Sequence, residues 1–184
     1  MKNVEYAFSQ VQPWPKGGAS FTNNDNTNMI QHEVVLHHLA IKTKGVFDET
    51  LSERRCQVPC TFGQKRQQTQ VDHLLDFYFA PNVIHGRVDR SQLEDQDEVP
   101  FDIFVAYPLL PPRPDGGELL KFTGSDTIGT EPSDPINAAI HSFAHFSLFY
   151  SRGSLVFTDL QGLHDKAGKI CLFDVQAHTY VSTL

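Results

Sequence analysis

Ser142-Phe143-Ala144-His145-Phe146-Ser147, continued by Tyr150-Ser151-Arg152-Gly153-Ser154-Leu155-Val156-Phe157-Thr158-Asp159-Leu160-Gln161-Gly162, is the stretch from which the rest of the chain is read. Phe146 to Ser151 and Ser154 to Asp159 are rich in aromatic and β-branched residues, and Arg152-Gly153 between them is a two-residue hairpin signal. The second segment closes on Asp159, just before Gly162, which permits close backbone approach. An acid at the end of a buried strand is held rigidly at the mouth of a sheet, although a turn aspartate shows the same local pattern. Lys169 to Asp174 repeats the arrangement, with Asp174 after Ile170-Cys171-Leu172-Phe173. Two such carboxylates and the Gln161 amide suit one magnesium ion with its phosphates, since Mg²⁺ takes few protein oxygens and keeps several waters.

Upstream, Asp134-Pro135 starts a helix, and Ile136, Ala139, Ile140 and Phe143 form its buried stripe to about His145. Phe101 to Tyr107 is a β-rich run ended by Pro108. Pro111-Pro112-Arg113-Pro114-Asp115-Gly116-Gly117 fits neither a central strand nor a helix interior and reads as a connector between two lobes. Glu118 to Phe122 is a short strand candidate. Further back, Val71, Leu74, Leu75, Tyr78 and Phe79 give Gln64 to Phe79 a helical stripe stopped by Pro81, and Val34 to Ile41 fits a strand or strand pair. Pro13 to Gly18 and the Asn-rich Thr22 to Asn28 read as loop.

The 184 residues carry a formal net charge of −7 and are 40% hydrophobic, enough for one core. No run approaches the roughly 18–20 apolar residues of a membrane-spanning helix, and Met1 to Ser20 lacks the apolar stretch of a signal peptide. Without a clustered Lys/Arg face, sequence-independent nucleic-acid binding lacks the charge it depends on. The three cysteines, Cys56, Cys60 and Cys171, are an odd count that suits reduced thiols. The expectation is a cytoplasmic or nuclear protein with neither membrane nor nucleic acid as partner.

Among the nine histidines, His141 and His145 stand at i and i+4 on one helical face, a usable metal spacing that also arises incidentally. Cys56 and Cys60 form Cys-x-x-x-Cys, but a structural zinc site needs two further ligands at compact spacing. The chain has no Gly-x-x-x-x-Gly-Lys-Ser/Thr, Gly-x-Gly-x-x-Gly, Gly-x-Ser-x-Gly or His-Glu-x-x-His, which removes support for the common hydrolase and dinucleotide-enzyme readings.

The Phe143-Ala144-His145-Phe146 element, the glycine-centred Arg152-Gly153 and Asp159-Leu160-Gln161-Gly162, with Asp159 fourteen positions after His145, together resemble the core of the alpha-type (atypical) protein kinases. Leu172-Phe173-Asp174-Val175-Gln176-Ala177-His178-Thr179 looks like the variant of that family's second acidic motif found in alpha-kinase-like proteins of basidiomycete fungi, with Val175 where proline is usual. The resemblance covers Phe101 to Thr179 well and the first hundred residues poorly. It implies an α+β, two-lobed kinase-like fold: a poorly structured segment 1–30, a β-rich N-terminal lobe 31–106, and a mixed C-terminal lobe 107–184 lacking its terminal segment.

The resemblance also implies roles. Asp159 would be the catalytic aspartate, Gln161 a magnesium-facing amide, and Asp174 a second acid that binds magnesium or orients the acceptor hydroxyl. His145 matches the histidine that ligates the family's structural zinc, but the chain ends before the glycine-rich segment and the His-x-Cys-x-x-x-Cys that supply its partners, as a truncated kinase would. Phe104 to Leu110 would be the interlobe hinge against which adenine packs, with Tyr107 where glutamate is usual. Lys121 matches a recurrent lysine beyond the hinge, and Lys42 is the candidate for the ATP-phosphate lysine. The implied activity is transfer of the γ-phosphoryl of Mg-ATP to a serine or threonine hydroxyl of a protein substrate. The alternatives are a pseudokinase or interaction module on the same fold core, and a small metal-binding domain built on His141 and His145.

Overall fold

The computed structural model describes residues 6–9, 22–57, 76–92, 99–109, 118–124 and 135–179. They form a mixed α+β protein divided into two compact units, the first drawn from residues 1–35 and 80–109 and the second from 36–79 and 110–184. Of the described residues, 36–57 and 76–79 thus group with those from 118 on.

In the first unit, β1 (Tyr6–Ser9) and β3 (Ile84–Arg87) flank β4 (Ile103–Pro108) in an antiparallel three-stranded sheet. Val105, fully buried, packs with Ile30 and Val34 of α1 (Asn23–Gln57). The Asn-rich stretch expected as loop is the start of this helix. Thr22 Oγ1 accepts the Asp25 N–H at 3.2 Å, while the Thr22 N–H and hydroxyl donate to Asp25 Oδ2 at 3.0 and 2.6 Å, a capping box with Asp in the acidic position. Asn26 is buried and donates its amide to the Ile103 carbonyl at 2.8 Å, and Asn23 accepts the Asp102 N–H at 3.0 Å. The asparagines that suggest turns therefore join the helix start to the entry of β4.

Val34 to Ile41, expected as strand, also lies in α1. The buried positions Ile30, Val34, His37, Ala40, Lys44 and Phe47 recur at helical spacing, but half of those from His37 on are polar, while Val35, Leu39 and Ile41 are exposed. With polar residues inside the stripe and apolar ones outside it, the helical period is blurred. Lys44 is tolerated there because its ammonium meets Asp48 Oδ1 at 2.6 Å and lies 4.3 Å from the Phe77 ring centroid.

The second unit holds α2 (Pro135–Tyr150), a four-stranded sheet in the order β2 (Phe77–Phe79), β8 (Ile170–Phe173), β7 (Gln161–His164), β5 (Leu120–Lys121), and the pair β6 (Leu155–Thr158) with β9 (Gln176–Thr179). Of the helix expected over Gln64 to Phe79, residues 64–75 lie outside the described residues. Its end is strand: Phe77 and Phe79 are buried with Tyr78 between them less so, a period of two, and the strand runs parallel to β8. Phe143 of α2 is fully buried, stacked on Phe157 at 5.7 Å and edge-on to Phe47 and Phe77.

Phe146 to Ser151, expected as a hairpin strand, instead completes α2. The Gly153 N–H donates to the Leu148 carbonyl at 2.8 Å and the Arg152 N–H to Phe149 at 3.0 Å, with Arg152 at φ 56°, which is a Schellman cap. Arg152-Gly153 ends a helix rather than turning a hairpin, because Phe143 and Ser147 extend the buried stripe and the Ser147 hydroxyl accepts the Phe157 N–H at 3.2 Å.

The hairpin that does form is longer and bent. One register runs from Leu155↔Thr179 through Thr158↔Gln176, and resumes unchanged from Gln161↔Phe173 to His164↔Ile170. Between them Asp159-Leu160 and Asp174-Val175 leave the ladder. Leu160 and Val175 are buried in the core, and Asp159 and Asp174 adopt left-handed backbones, φ 51° and 53°.

Candidate active site

Two aspartates fifteen residues apart meet because each stands at the same bend of one hairpin. Aspartate tolerates the left-handed region better than most residues, and the turn of its backbone there lets Leu160 and Val175 enter the core. Lys121, Gln161 and Phe173 are directly opposite one another across β5, β7 and β8 and so share one face of the sheet. Leu120, Gly162 and Leu172 share the other, which packs on the core. Gly162 admits no side chain, since a Cβ there would overlap the Cys171 carbonyl.

Lys121 Nζ lies 2.6 Å from Asp159 Oδ1, with the lysine side chain 57% exposed and that of Asp159 14%. The ion pair is close but not aligned as a hydrogen bond, and Asp159 Oδ1 is buried with no hydrogen-bond partner. Gln161 Nε2 donates to Asp174 Oδ2 at 3.1 Å. The Asp174 carboxyl is held above the usual carboxylate range, first by desolvation and then by the Asp159 charge, against the opposing Gln161 hydrogen bond and Lys121 charge. Asp174 as a residue is exposed, so the desolvation is that of the carboxyl among the atoms gathered around it rather than of the whole side chain.

A divalent cation fits this set. It would offset the Asp159 charge that helps raise Asp174, and the Gln161 amide oxygen remains available while its nitrogen is engaged. Two carboxylates and an amide are a sparse donor set, suited to a magnesium ion that also takes phosphate oxygens and water. Among the described residues no group of three or more His, Cys, Asp or Glu could hold a metal by itself. Zinc thus has no support: His145 is exposed on α2 with its ring tilted against Phe149 at 5.5 Å, and His141 Nε2 lies 3.0 Å from the Phe122 carbonyl rather than in a metal set. Of the cysteines, Cys60 lies outside the described residues and Cys171 is buried, its thiol pushed up to about 11 by burial and so protonated at neutral pH.

Lys42 is exposed on α1 and makes no hydrogen bond or ion pair among the described residues. Tyr107 belongs to the first unit, where its hydroxyl donates to Glu33 Oε1 at 2.7 Å. The expected hinge from Phe104 is strand as far as Pro108, because its backbone pairs with β1 and β3. Sequence reasoning missed Thr123 and His141 as supports of the site, since a loop threonine and a helix histidine declare themselves only through tertiary contacts.

The bent hairpin thus brings Asp159 and Asp174, with the Lys121–Asp159 ion pair, to one part of the second unit. A sequence model of the alpha-kinase family matches residues 21–183, and the chain belongs to that family. No curated protein and no solved structure matches significantly. The family is one of protein kinases, for which ATP, magnesium and a protein substrate are the general requirements. No helix among the described residues is long and apolar enough to cross a membrane.

Proposed function

We propose that the protein is a serine/threonine kinase of the alpha type, which transfers the γ-phosphoryl of Mg-ATP to a protein hydroxyl. The observation that carries this reading is the convergence of Lys121, Asp159, Gln161 and Asp174 on one face at the hairpin bend. Phosphoryl transfer asks little covalent chemistry of the protein and much positioning and charge neutralisation. Asp159, held rigidly at its strand end, orients the acceptor hydroxyl and takes its proton. Lys121, whose side chain is 57% exposed, counters charge on the transferred group. Asp174 and Gln161 would hold magnesium, which when bound neutralises phosphate charge. Its reduced, buried Cys171 suits a cytoplasmic setting.

Asp159→Ala is expected to abolish transfer from radiolabelled ATP to a mixed protein acceptor while leaving the circular dichroism spectrum unchanged. Equal rates for wild type and variant would rule out the role of Asp159. The second reading, a pseudokinase, is favoured by Lys42, the expected phosphate-binding lysine, which is exposed and without an ion-pair partner among the described residues. Binding of Mg-ATP without any transfer would select it.

A further inference from the structure

The two residues Asp159-Leu160 lie between ladders, and their backbone groups are taken instead by residues 122–124. The Asp159 N–H donates to the Gly124 carbonyl at 3.3 Å, and the Leu160 carbonyl accepts from the N–H groups of Phe122 at 2.8 Å and Thr123 at 3.4 Å. The Leu160 N–H, buried, donates to Thr123 Oγ1 at 2.9 Å. Among the described residues Thr123 is the one side chain in this set, and it is itself buried. The Leu160 N–H belongs to the peptide plane that follows Asp159, so fixing it fixes the rotation about the Asp159 Cα–C bond. That rotation, with φ at 51°, sets the direction in which the Asp159 side chain leaves the backbone.

We propose that Thr123 is a positioning residue: its hydroxyl, by holding the Leu160 N–H, keeps Asp159 in the left-handed conformation that turns its carboxylate toward Lys121 and Asp174. The catalytic consequence rests on the kinase reading above; the structural one does not. Without the hydroxyl, a buried N–H loses its acceptor and the bend relaxes toward extended backbone, which aspartate otherwise prefers. Thr123 touches neither reacting atom, so its loss should reduce turnover more than nucleotide binding.

The test compares Thr123→Val, which keeps the shape and removes the acceptor, with Thr123→Ser, which keeps the acceptor. By NMR hydrogen exchange, the Leu160 amide is expected to exchange at least tenfold faster in Thr123→Val, with the Phe157 and Leu163 amides within twofold of wild type. In the phosphoryl-transfer assay kcat is expected to fall at least tenfold with the KM for ATP within twofold, and Thr123→Ser is expected to restore both readouts to within threefold. An unchanged Leu160 amide in Thr123→Val, a Thr123→Ser variant as impaired as Thr123→Val, or general loss of protection across the sheet would each overturn the proposal. Wild-type protein that transfers no phosphate would sink the kinase reading alone, leaving the hold on the link to be decided by the Leu160 amide.

Discussion

Asp174 is the residue whose chemistry can be followed without any substrate. Its folded-state pKa is raised, so the folded protein binds its proton more tightly than the unfolded chain does. That contribution to stability is full below the unfolded carboxylate pKa and is lost as pH rises through the folded value. At neutral pH the ionised group therefore opposes folding. Asp174→Asn, which keeps an oxygen to accept from Gln161, is expected to raise Tm at pH 7, with the gain fading as pH falls through the acid range, while abolishing phosphoryl transfer. Thermal unfolding of the two proteins at several pH values checks this, and a gain that grows on acidification would contradict it. Magnesium should raise the Tm of wild type more than that of the variant, because only wild type has the second carboxylate to relieve.

At the scale of elements, the helix ends and strand ends carried the surprises. The sequence pattern located β6 and β8 within a residue at each end, because short β-branched and aromatic runs closed by an acid are a local signal. It misread Arg152-Gly153, since the same dipeptide serves a hairpin or a helix cap, and only burial of Phe143 and Ser147 on one helix face decides between them. The cap has a measurable consequence. Arg152 occupies the left-handed position usually given to glycine, at a strain of roughly 1–2 kcal/mol for a residue with a Cβ. Arg152→Gly is expected to stabilise the protein by about 0.5–1 kcal/mol, after allowing for the greater freedom of glycine in the unfolded chain. A lower urea midpoint for the variant would show that the cap is not as drawn.

For the whole molecule, the second unit depends on a cluster of aromatic rings gathered from distant parts of the sequence. Phe143 touches Phe47, Phe77, Phe79 and Phe157, so α1, β2, α2 and β6 meet at one side chain. Phe143→Ala is expected to cost about 3–5 kcal/mol, a large part of the roughly 5–15 kcal/mol that holds a domain folded. Urea denaturation followed by circular dichroism should register it as a much earlier transition; a shift below about 1 kcal/mol would mean that the rings repack around the gap.

The placing of Asp159 and Asp174 at strand ends was legible in the sequence, together with the helix start at Pro135 and the α+β class, because each rests on residues close together in the chain. What required tertiary structure was everything that depends on partners far apart: α1 as a helix despite its polar inner face, the capping of its start against Asp102 and Ile103, and the single register through which the two aspartates meet. Local patterns record the intrinsic preference of a segment. They do not record that Thr123 lies beside Leu160 or Lys44 over Phe77, and those contacts, by satisfying buried polar groups, determine which of several locally acceptable conformations the chain adopts.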